Sequence, residues 1–269
     1  MRSLLVLALF GFWAGAAVAA PYQSTTLVYD VSWGNILLAK SKLDYRFGPD
    51  KARILASAGS RGLAVIFSEF KSNAEAELVL AGGNWQPKTL MMERLSGVDT
   101  VKSRVIWDSA SNVISETRIP DLDLDEVYPL SDQMRVGVID PYSAVLRLIN
   151  QIEADGNCTA SYEIYDGRRR SRISFETIGA VELTKARPDE YEGSAMACRV
   201  QFIPIGGHRI ESKWRGDDKP DNDRFKMFFG RPSQGQLVPV RIEVKSWIGK
   251  IIGRLDMGKI EMKRPAQKG

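Results

Sequence analysis

Most of the chain alternates apolar and polar residues with a period of two, the pattern of strands with one buried and one solvated face. In the segment 36–47, charged residues occupy every second position from 40 to 46: Lys40, Lys42, Asp44 and Arg46. Similar runs, separated by turns rich in Gly, Asn, Asp and Pro, predict strands at 27–33, 53–60, 64–72, 75–81, 87–94, 101–107, 113–119, 198–203, 208–214, 225–229, 237–246 and 251–260. An Asp-Gly pair within 164–170 predicts a hairpin there.

One segment, 140–152, breaks this period and predicts a helix. Asp140 is a suitable N-cap, and Pro141 suits the first helical position. The apolar residues that follow have the spacing of a single helical face: Val145, Leu148, Ile149 and Ile152.

Many strands joined by short turns, with one helix, predict a mainly β fold. We expect a large antiparallel sheet that is strongly curved or nearly closed, as a barrel, half-barrel or spiral. The Pro- and Asp-rich segment 120–130 is a candidate internal linker between an N-terminal β half and a helix-plus-β half. Because both halves would share one sheet, we predict a single domain over residues 20–269.

Residues 1–19 have the composition of a secretory signal peptide. Arg2 supplies a positive start, and the apolar run that follows ends in small residues at 17–19. Cleavage is expected near Ala19, with an uncleaved N-terminal anchor as the alternative. No later stretch reaches about 18 apolar residues without a charge, so the mature chain is expected to have no transmembrane span.

The chain has two cysteines, Cys158 and Cys198. In an exported protein, this minimal even number predicts one disulfide. The bond would close a loop of about 40 residues, for which the chain-entropy model gives about 4 kcal/mol of stabilisation. A structural bond and a reducible, regulatory bond both fit the sequence. A metal site fits poorly, because two thiolates and His208 do not supply four ligands.

The formal net charge is +4, and basic residues alternate with acidic ones along the chain. The concentrated basic stripe of a nucleic-acid-binding protein is absent, so we expect no nucleic-acid partner. The densest basic run is at 168–172. If it is a strand, period-two alternation places three side chains on one face, as candidate contacts for an anionic headgroup or phosphate: Arg168, Arg170 and Arg172. A solvated strand face is the alternative.

The sequence carries no recognisable catalytic machinery. It has one histidine, His208, and no Gly-x-Ser-x-Gly nucleophile motif. We therefore predict a protein that is not an enzyme, with no catalytic residue, no cofactor and no metal site. A role for His208 as a base or ligand is the alternative to an ordinary loop histidine.

Five segments, in this order and spacing, resemble a family of secreted bacterial proteins, the DUF3108 domain. They lie at 28–34, 140–144, 165–170, 197–200 and 238–244. The resemblance implies a periplasmic, mostly antiparallel β protein, and it brings no reaction or catalytic residue. In outline the family is also similar to periplasmic β-spiral proteins of envelope integrity, which are nearly closed sheets with a helix and a disulfide.

These observations leave two main hypotheses for function. The first is a periplasmic envelope protein that binds a lipid or another amphipathic ligand in its curved sheet, with the 168–172 arginines near an anionic headgroup. The second is a structural or scaffolding protein that binds another periplasmic protein and no small ligand. An enzyme ranks below both.

Overall fold

The structure, a computed structural model, describes residues 24–62, 65, 69–97, 99–121, 123–210, 224–232, 235–246 and 249–263. The predicted signal peptide and its cleavage site near Ala19 lie outside these residues. The strands are β1 (Ser24–Trp33), β2 (Ile36–Phe47), β3 (Lys51–Ser60), β4 (Phe70–Ala81), β5 (Asn84–Ser96), β6 (Asp99–Trp107), β7 (Val113–Ile119), β8 (Ala160–Tyr165), β9 (Arg170–Leu183), β10 (Gly193–Gly206), β11 (Phe225–Gly230), β12 (Val238–Ser246), β13 (Gly249–Leu255) and β14 (Glu261–Lys263). The helix α1 spans Pro141–Asp155, and short 3-10 turns lie at Leu124–Glu126 and Asp132–Arg135.

All these strands belong to one antiparallel sheet of 14 strands. Its order is β7-β6-β5-β4-β3-β2-β1-β13-β12-β11-β10-β9-β8, with β14 paired to β1. Strands from before and after α1 are joined where β1 pairs with β13, with Tyr29 opposite Leu255. The hydrogen-bonded path therefore has two ends, β7 and β8, and the prediction of a mainly β, antiparallel fold is confirmed.

One face of the sheet carries the core. Across the four strands β3 to β6, directly paired residues are no more than 1 % exposed, and we call them the buried row: Ile54, Ala76, Leu90 and Val105. We call the face that carries them the inner face and the opposite face the outer face. Apolar residues of α1 and of β8 to β13 join the same core cluster. Burial of this one face is what the period-two pattern predicts.

The helix α1 begins where the sequence predicts it. The Asp140 carboxylate accepts from the backbone N–H groups of Tyr142, at 2.8 Å, and Ser143, at 3.2 Å. Gly156 ends the helix in the left-handed conformation that glycine adopts without strain. The predicted disulfide is present soon after the end of the helix, where Cys158 is bonded to Cys198 on β10. The observed helix is three residues longer at its end than the predicted segment 140–152.

The two end strands of the sheet are linked through side chains and the segment before α1. The Tyr165 hydroxyl on β8 donates to Glu116 Oε2 on β7 at 2.6 Å. Arg135 also binds Glu116, with Nε 3.1 Å from Oε1. A few residues later, the Ile139 carbonyl accepts from the Tyr165 backbone N–H at 2.8 Å. The segment 135–139 thus contacts both ends of the sheet.

The region between β3 and β4 differs from the prediction. The two strands expected at 64–72 and 75–81 are a single strand, Phe70–Ala81. Alternation continues through Ser72 and Ala74, because both lie on the inner face, four and two residues before Ala76. Because the side chains at these inner-face positions are small, the alternation of apolar and polar residues was not evident in the sequence. Residues 63–64 and 66–68 lie outside the described residues.

Two further strand predictions are corrected. In the segment 208–214 the described residues form only an isolated bridge, between Arg209 and Val127, and the rest lies outside the described residues. The strand predicted at 251–260 ends at Leu255. The next residue, Asp256, turns the chain by accepting from the Gly258 backbone N–H at 3.0 Å. Within the described residues, no helix has the length and apolar character needed to cross a bilayer.

Candidate functional site

The turn between β8 and β9 is the predicted Asp-Gly turn, and its carboxylate organises it. Asp166 Oδ1 accepts from the backbone N–H groups of Arg168, at 3.1 Å, and Arg169, at 2.8 Å. The Arg169 side chain binds the other oxygen, with Nε 2.8 Å from Oδ2. Burial raises the pKa of Asp166, but the charge and hydrogen bonds of Arg169 outweigh burial and lower that pKa below its ordinary value. The turn is therefore held in one shape by an ionised carboxylate.

This turn packs directly on the inner face of the sheet. Gly167 has φ +84°, and a Cβ at this position would lie 2.9 Å from Val105 Cγ2 and 3.3 Å from Ser103 Oγ. Only glycine permits this approach, since a methyl group would overlap β6. The next residue, Arg168, is close enough to Arg94 on β5 and Arg118 on β7 for their charges to act on it.

Three arginines, Arg94, Arg118 and Arg168, lie together beside this turn, and we call them the arginine cluster. Arg94 is paired with Val101 between β5 and β6, and Arg118 with Ser103 between β6 and β7. Because side chains alternate between faces, both arginines share the face that carries the buried row. Arg94 is exposed, whereas Arg118 and Arg168 are half-buried.

Among the described residues, no carboxylate lies within ion-pair distance of the arginine cluster. No described residue forms an ion pair with any of its three members, and the buried Arg118 Nε has no hydrogen-bond partner among the described residues. Burial is the main cause that lowers the pKa of Arg168, to about 10, and the charges of Arg169, Arg94 and Arg118 lower it further against the opposing effect of Asp166. Burial, then the charge of Arg94, likewise lowers the pKa of Arg118. Such a site favours an incoming anion.

Two cross-strand rows of the inner face lead to the arginine cluster. The first, the apolar row, consists of Leu43, Ala56, Ala74 and Met92. The same register continues through Ser103 on β6 to Arg118 on β7. The second, the small-residue row, ends at Arg94 and consists of Ser41, Ala58 and Ser72. Both rows are half-buried, whereas the neighbouring buried row is closed to solvent. The inner face thus opens toward the arginines.

The structure separates the three arginines that the sequence groups together. Arg170 and Arg172 lie on β9 and both bind Glu163, with Nε–Oε2 3.1 Å and Nε–Oε1 2.6 Å. Arg168 precedes the strand and lies in the turn, with no ion pair to a described residue. Contact with an anionic ligand stays a prediction, and Arg168 is the member of the three whose charge is free for it.

A second turn, at Gly207, packs closely against the hairpin of β8 and β9. Gly207 has φ +71°, and a Cβ there would lie 1.8 Å from the Arg168 carbonyl oxygen. The next residue, His208, has Nε2 3.0 Å from Ser171 Oγ and 3.2 Å from the Arg170 carbonyl oxygen. Burial is the main cause that lowers the pKa of His208.

His208 Nε2 is shared between the Ser171 hydroxyl and a backbone carbonyl oxygen. A carbonyl oxygen only accepts hydrogen bonds, so a hydrogen bond to Arg170 forms in the tautomer that carries the proton on His208 Nε2. A general base would present an unprotonated nitrogen to the hydroxyl. In the part of the chain that the structure describes, no three His, Cys, Asp or Glu side chains are grouped as metal ligands.

Sequence reasoning missed Arg94 and Arg118. They belong to strands far along the chain from Arg168, and neither lies in a basic run. Only the strand register and the packing of Gly167 bring the three together.

Comparisons with known proteins agree with this fold. A crystal structure of a β-barrel-like protein of the domain of unknown function DUF1849, from Brucella abortus, is similar with a TM-score of 0.51 and 8% sequence identity. The alignment covers 91% of this chain and 100% of that chain, and at this identity it concerns the fold alone. No curated protein matches. The family model described as "Protein of unknown function (DUF3108)" matches residues 28–256, as the sequence motifs predict, and the chain therefore belongs to the DUF3108 family.

Proposed function

We propose that this protein is a non-catalytic, periplasmic envelope protein that binds an amphipathic molecule with an anionic headgroup. The observation that carries the proposal is the arginine cluster, three cations without a carboxylate partner among the described residues, placed where the inner face opens. Periplasmic location follows from the predicted signal peptide. Arginine suits this role because its planar guanidinium binds phosphate and carboxylate groups through paired hydrogen bonds.

In this proposal the sheet is nearly closed, and α1 fills one side of the space that the sheet encloses. Two observations support it: the Tyr165–Glu116 hydrogen bond joins strands from the two ends of the sheet, and the similar DUF1849 structure is β-barrel-like. The side chains of Leu146, Leu148 and Ile149 on α1 share the core with the sheet. The space left for a ligand is then over the rows that α1 leaves half-buried.

The apolar row offers a surface for the chain of the ligand. It crosses β2 to β5, and with strands about 4.8 Å apart this is a path of roughly 14 Å. Small side chains at Ala56 and Ala74 leave depth above the sheet, while Leu43 and Met92 contribute apolar contact. Methionine adapts its shape to irregular partners. The headgroup would lie at the end of the row, on Arg118.

The test compares two arginines that differ in their partners. Arg118→Met removes a member of the arginine cluster, whereas Arg172→Met, the matched control, removes an arginine that Glu163 already binds at 2.6 Å. The probe is fluorescently labelled phosphatidylglycerol, with labelled phosphatidylcholine as the neutral comparison. We expect native protein and Arg172→Met to bind the anionic probe equally, and Arg118→Met to bind it about tenfold more weakly, since a charge-assisted hydrogen bond contributes roughly 1.5–3 kcal/mol.

Thermal stability provides a second measurement on the same variants. Arg118→Met removes a partnerless buried Nε and a like-charge contact, so we expect a melting temperature equal to or above that of the native protein. A purely structural arginine would instead lower it. The proposal fails if Arg118→Met binds the anionic probe as tightly as native protein, or if protein purified from its own host carries no amphipathic molecule by native mass spectrometry.

A scaffolding function is the second candidate, and the outer face supports it. There a cavity of about 510 Å³ is lined in part by Leu55, Met91 and Ile119. Ile119 is 69% exposed, and with Leu55 and Met91 it gives this lining apolar surface that a protein partner would cover. A stable protein partner recovered with native protein and lost with Ile119→Ser would favour this function.

A further inference from the structure

The outer face carries a second basic site, beside the turn between β2 and β3. A cavity of about 620 Å³ opens there. Its lining includes four basic side chains and one acidic side chain: Arg46, Lys51, Arg53, Lys88 and Glu77. A volume of this size is that of a small-molecule site, and the excess of positive charge indicates an anionic occupant.

The strand register places like charges directly opposite each other in this cavity. Arg46 on β2 is paired with Arg53 on β3, an arrangement that destabilises a sheet unless the charge is compensated. Arg53 has a partner, since its guanidinium lies 2.7 Å from Glu75 Oε1. Arg46, Lys51 and Lys88 form no ion pair with any residue that the structure describes.

Two acidic side chains lie near these cations, Glu77 in the lining and Asp44, whose charge interacts with that of Arg46. Glu77 Oε2 accepts from the Thr89 hydroxyl at 3.4 Å. Asp44, two residues before Arg46 on the same face, binds Lys42 at 2.8 Å and accepts from the Thr26 hydroxyl at 2.6 Å. Arg46, Lys51 and Lys88 thus exceed the one acidic side chain of the lining, Glu77, by two positive charges.

We propose that this cavity binds a phosphate-class oxyanion, carried by a free phosphate compound or by a phospholipid headgroup. Arg46 supplies the planar, bidentate contact, and Lys51 and Lys88 supply point charges around it. The site is independent of the arginine cluster, because one lies on the outer face and the other on the inner face. The inference goes beyond the proposed function and does not depend on it.

The test measures pyrophosphate binding to the full mature chain by isothermal titration calorimetry. The double variant Arg46→Ser/Lys88→Ser should lose affinity at least about tenfold, as expected for the loss of charge-assisted contacts. The matched control is Lys71→Ser, which removes one exposed positive charge outside the cavity. Lys71→Ser should bind pyrophosphate as native protein does. The double variant should cause the same loss of affinity when it is combined with Arg118→Met, and this result separates the site from the proposed function.

A second arm identifies the source of the anion. Native protein is mixed with vesicles of phosphatidylcholine, with or without phosphatidylglycerol, and sedimented. Binding only to the anionic vesicles, lost in the double variant, assigns the site to a headgroup; pyrophosphate binding with the same loss assigns it to a free phosphate compound. Absence of both, or equal binding by native protein and the double variant, overturns the inference. Lys88→Ser alone serves as the test if the double variant does not fold.

Discussion

The bond between Cys158 and Cys198 should contribute a large share of the stability of this protein. Cys158 lies two residues beyond Gly156, which ends α1, and Cys198 lies in the middle of β10. Both residues are 0% exposed. The bond therefore links the end of α1 to β10. Its loss increases the conformational freedom of the unfolded chain and removes this link from the folded protein.

The magnitude follows from the length of the closed loop. The two cysteines are separated by 40 residues, for which the chain-entropy model gives about 4 kcal/mol at 25 °C. For a domain of roughly this size, each kcal/mol shifts the melting temperature by about 2–4 °C. Reduction of the bond should thus lower the melting temperature by about 10 °C.

The assay is thermal unfolding followed by circular dichroism, with and without a phosphine reductant, after thiol titration has shown that reduction is complete. The control is the double variant Cys158→Ala/Cys198→Ala, which should melt near the reduced native protein and be insensitive to the reductant. A native melting temperature that full reduction leaves unchanged would refute the structural role of the bond.

Three further predictions concern the hydrogen bond between Tyr165 and Glu116 and the residues Gly207 and His208. Tyr165→Phe removes the hydroxyl that donates to Glu116 at 2.6 Å, so the free energy of unfolding measured by chemical denaturation should fall by about 1.5 kcal/mol. An unchanged free energy of unfolding would mean that this hydrogen bond does not stabilise the fold. Gly207→Ala places a Cβ 1.8 Å from the Arg168 carbonyl oxygen at φ +71°, so we expect at least about 2 kcal/mol of destabilisation, and a native-like melting temperature would contradict this packing. His208 has a pKa lowered mainly by burial, so the unfolded state takes up its proton first and native stability should fall as pH drops below about 6.5. His208→Gln should show a smaller fall over pH 7 to about 5.5, and parallel curves for the two proteins would exclude this histidine as the cause.

Local patterns in the sequence predicted the elements of this fold. Alternation at 36–47 and 113–119 gave strands with the observed bounds. Asp140 and Pro141 gave the start of α1, and the Asp-Gly pair gave the hairpin of β8 and β9. These features depend on neighbouring residues, through backbone geometry and capping, so a single sequence contains them.

Part of the candidate site was visible in the same way. The basic run at 168–172 identified Arg168, and the sequence indicated an anionic partner. It could not distinguish Arg168 from Arg170 and Arg172, because the carboxylate that binds the latter two, Glu163, acts across a strand pair.

By itself, the sequence determined which segments extend, where the helix begins and which cysteines exist to be joined. The tertiary structure decided that β1 pairs with β13, and that Arg94 and Arg118 lie beside Arg168. The physical reason is that strand pairing is chosen by backbone hydrogen bonds and face burial summed over the whole sheet. The residues next to a position in the sequence therefore do not determine which distant strand will pair with it.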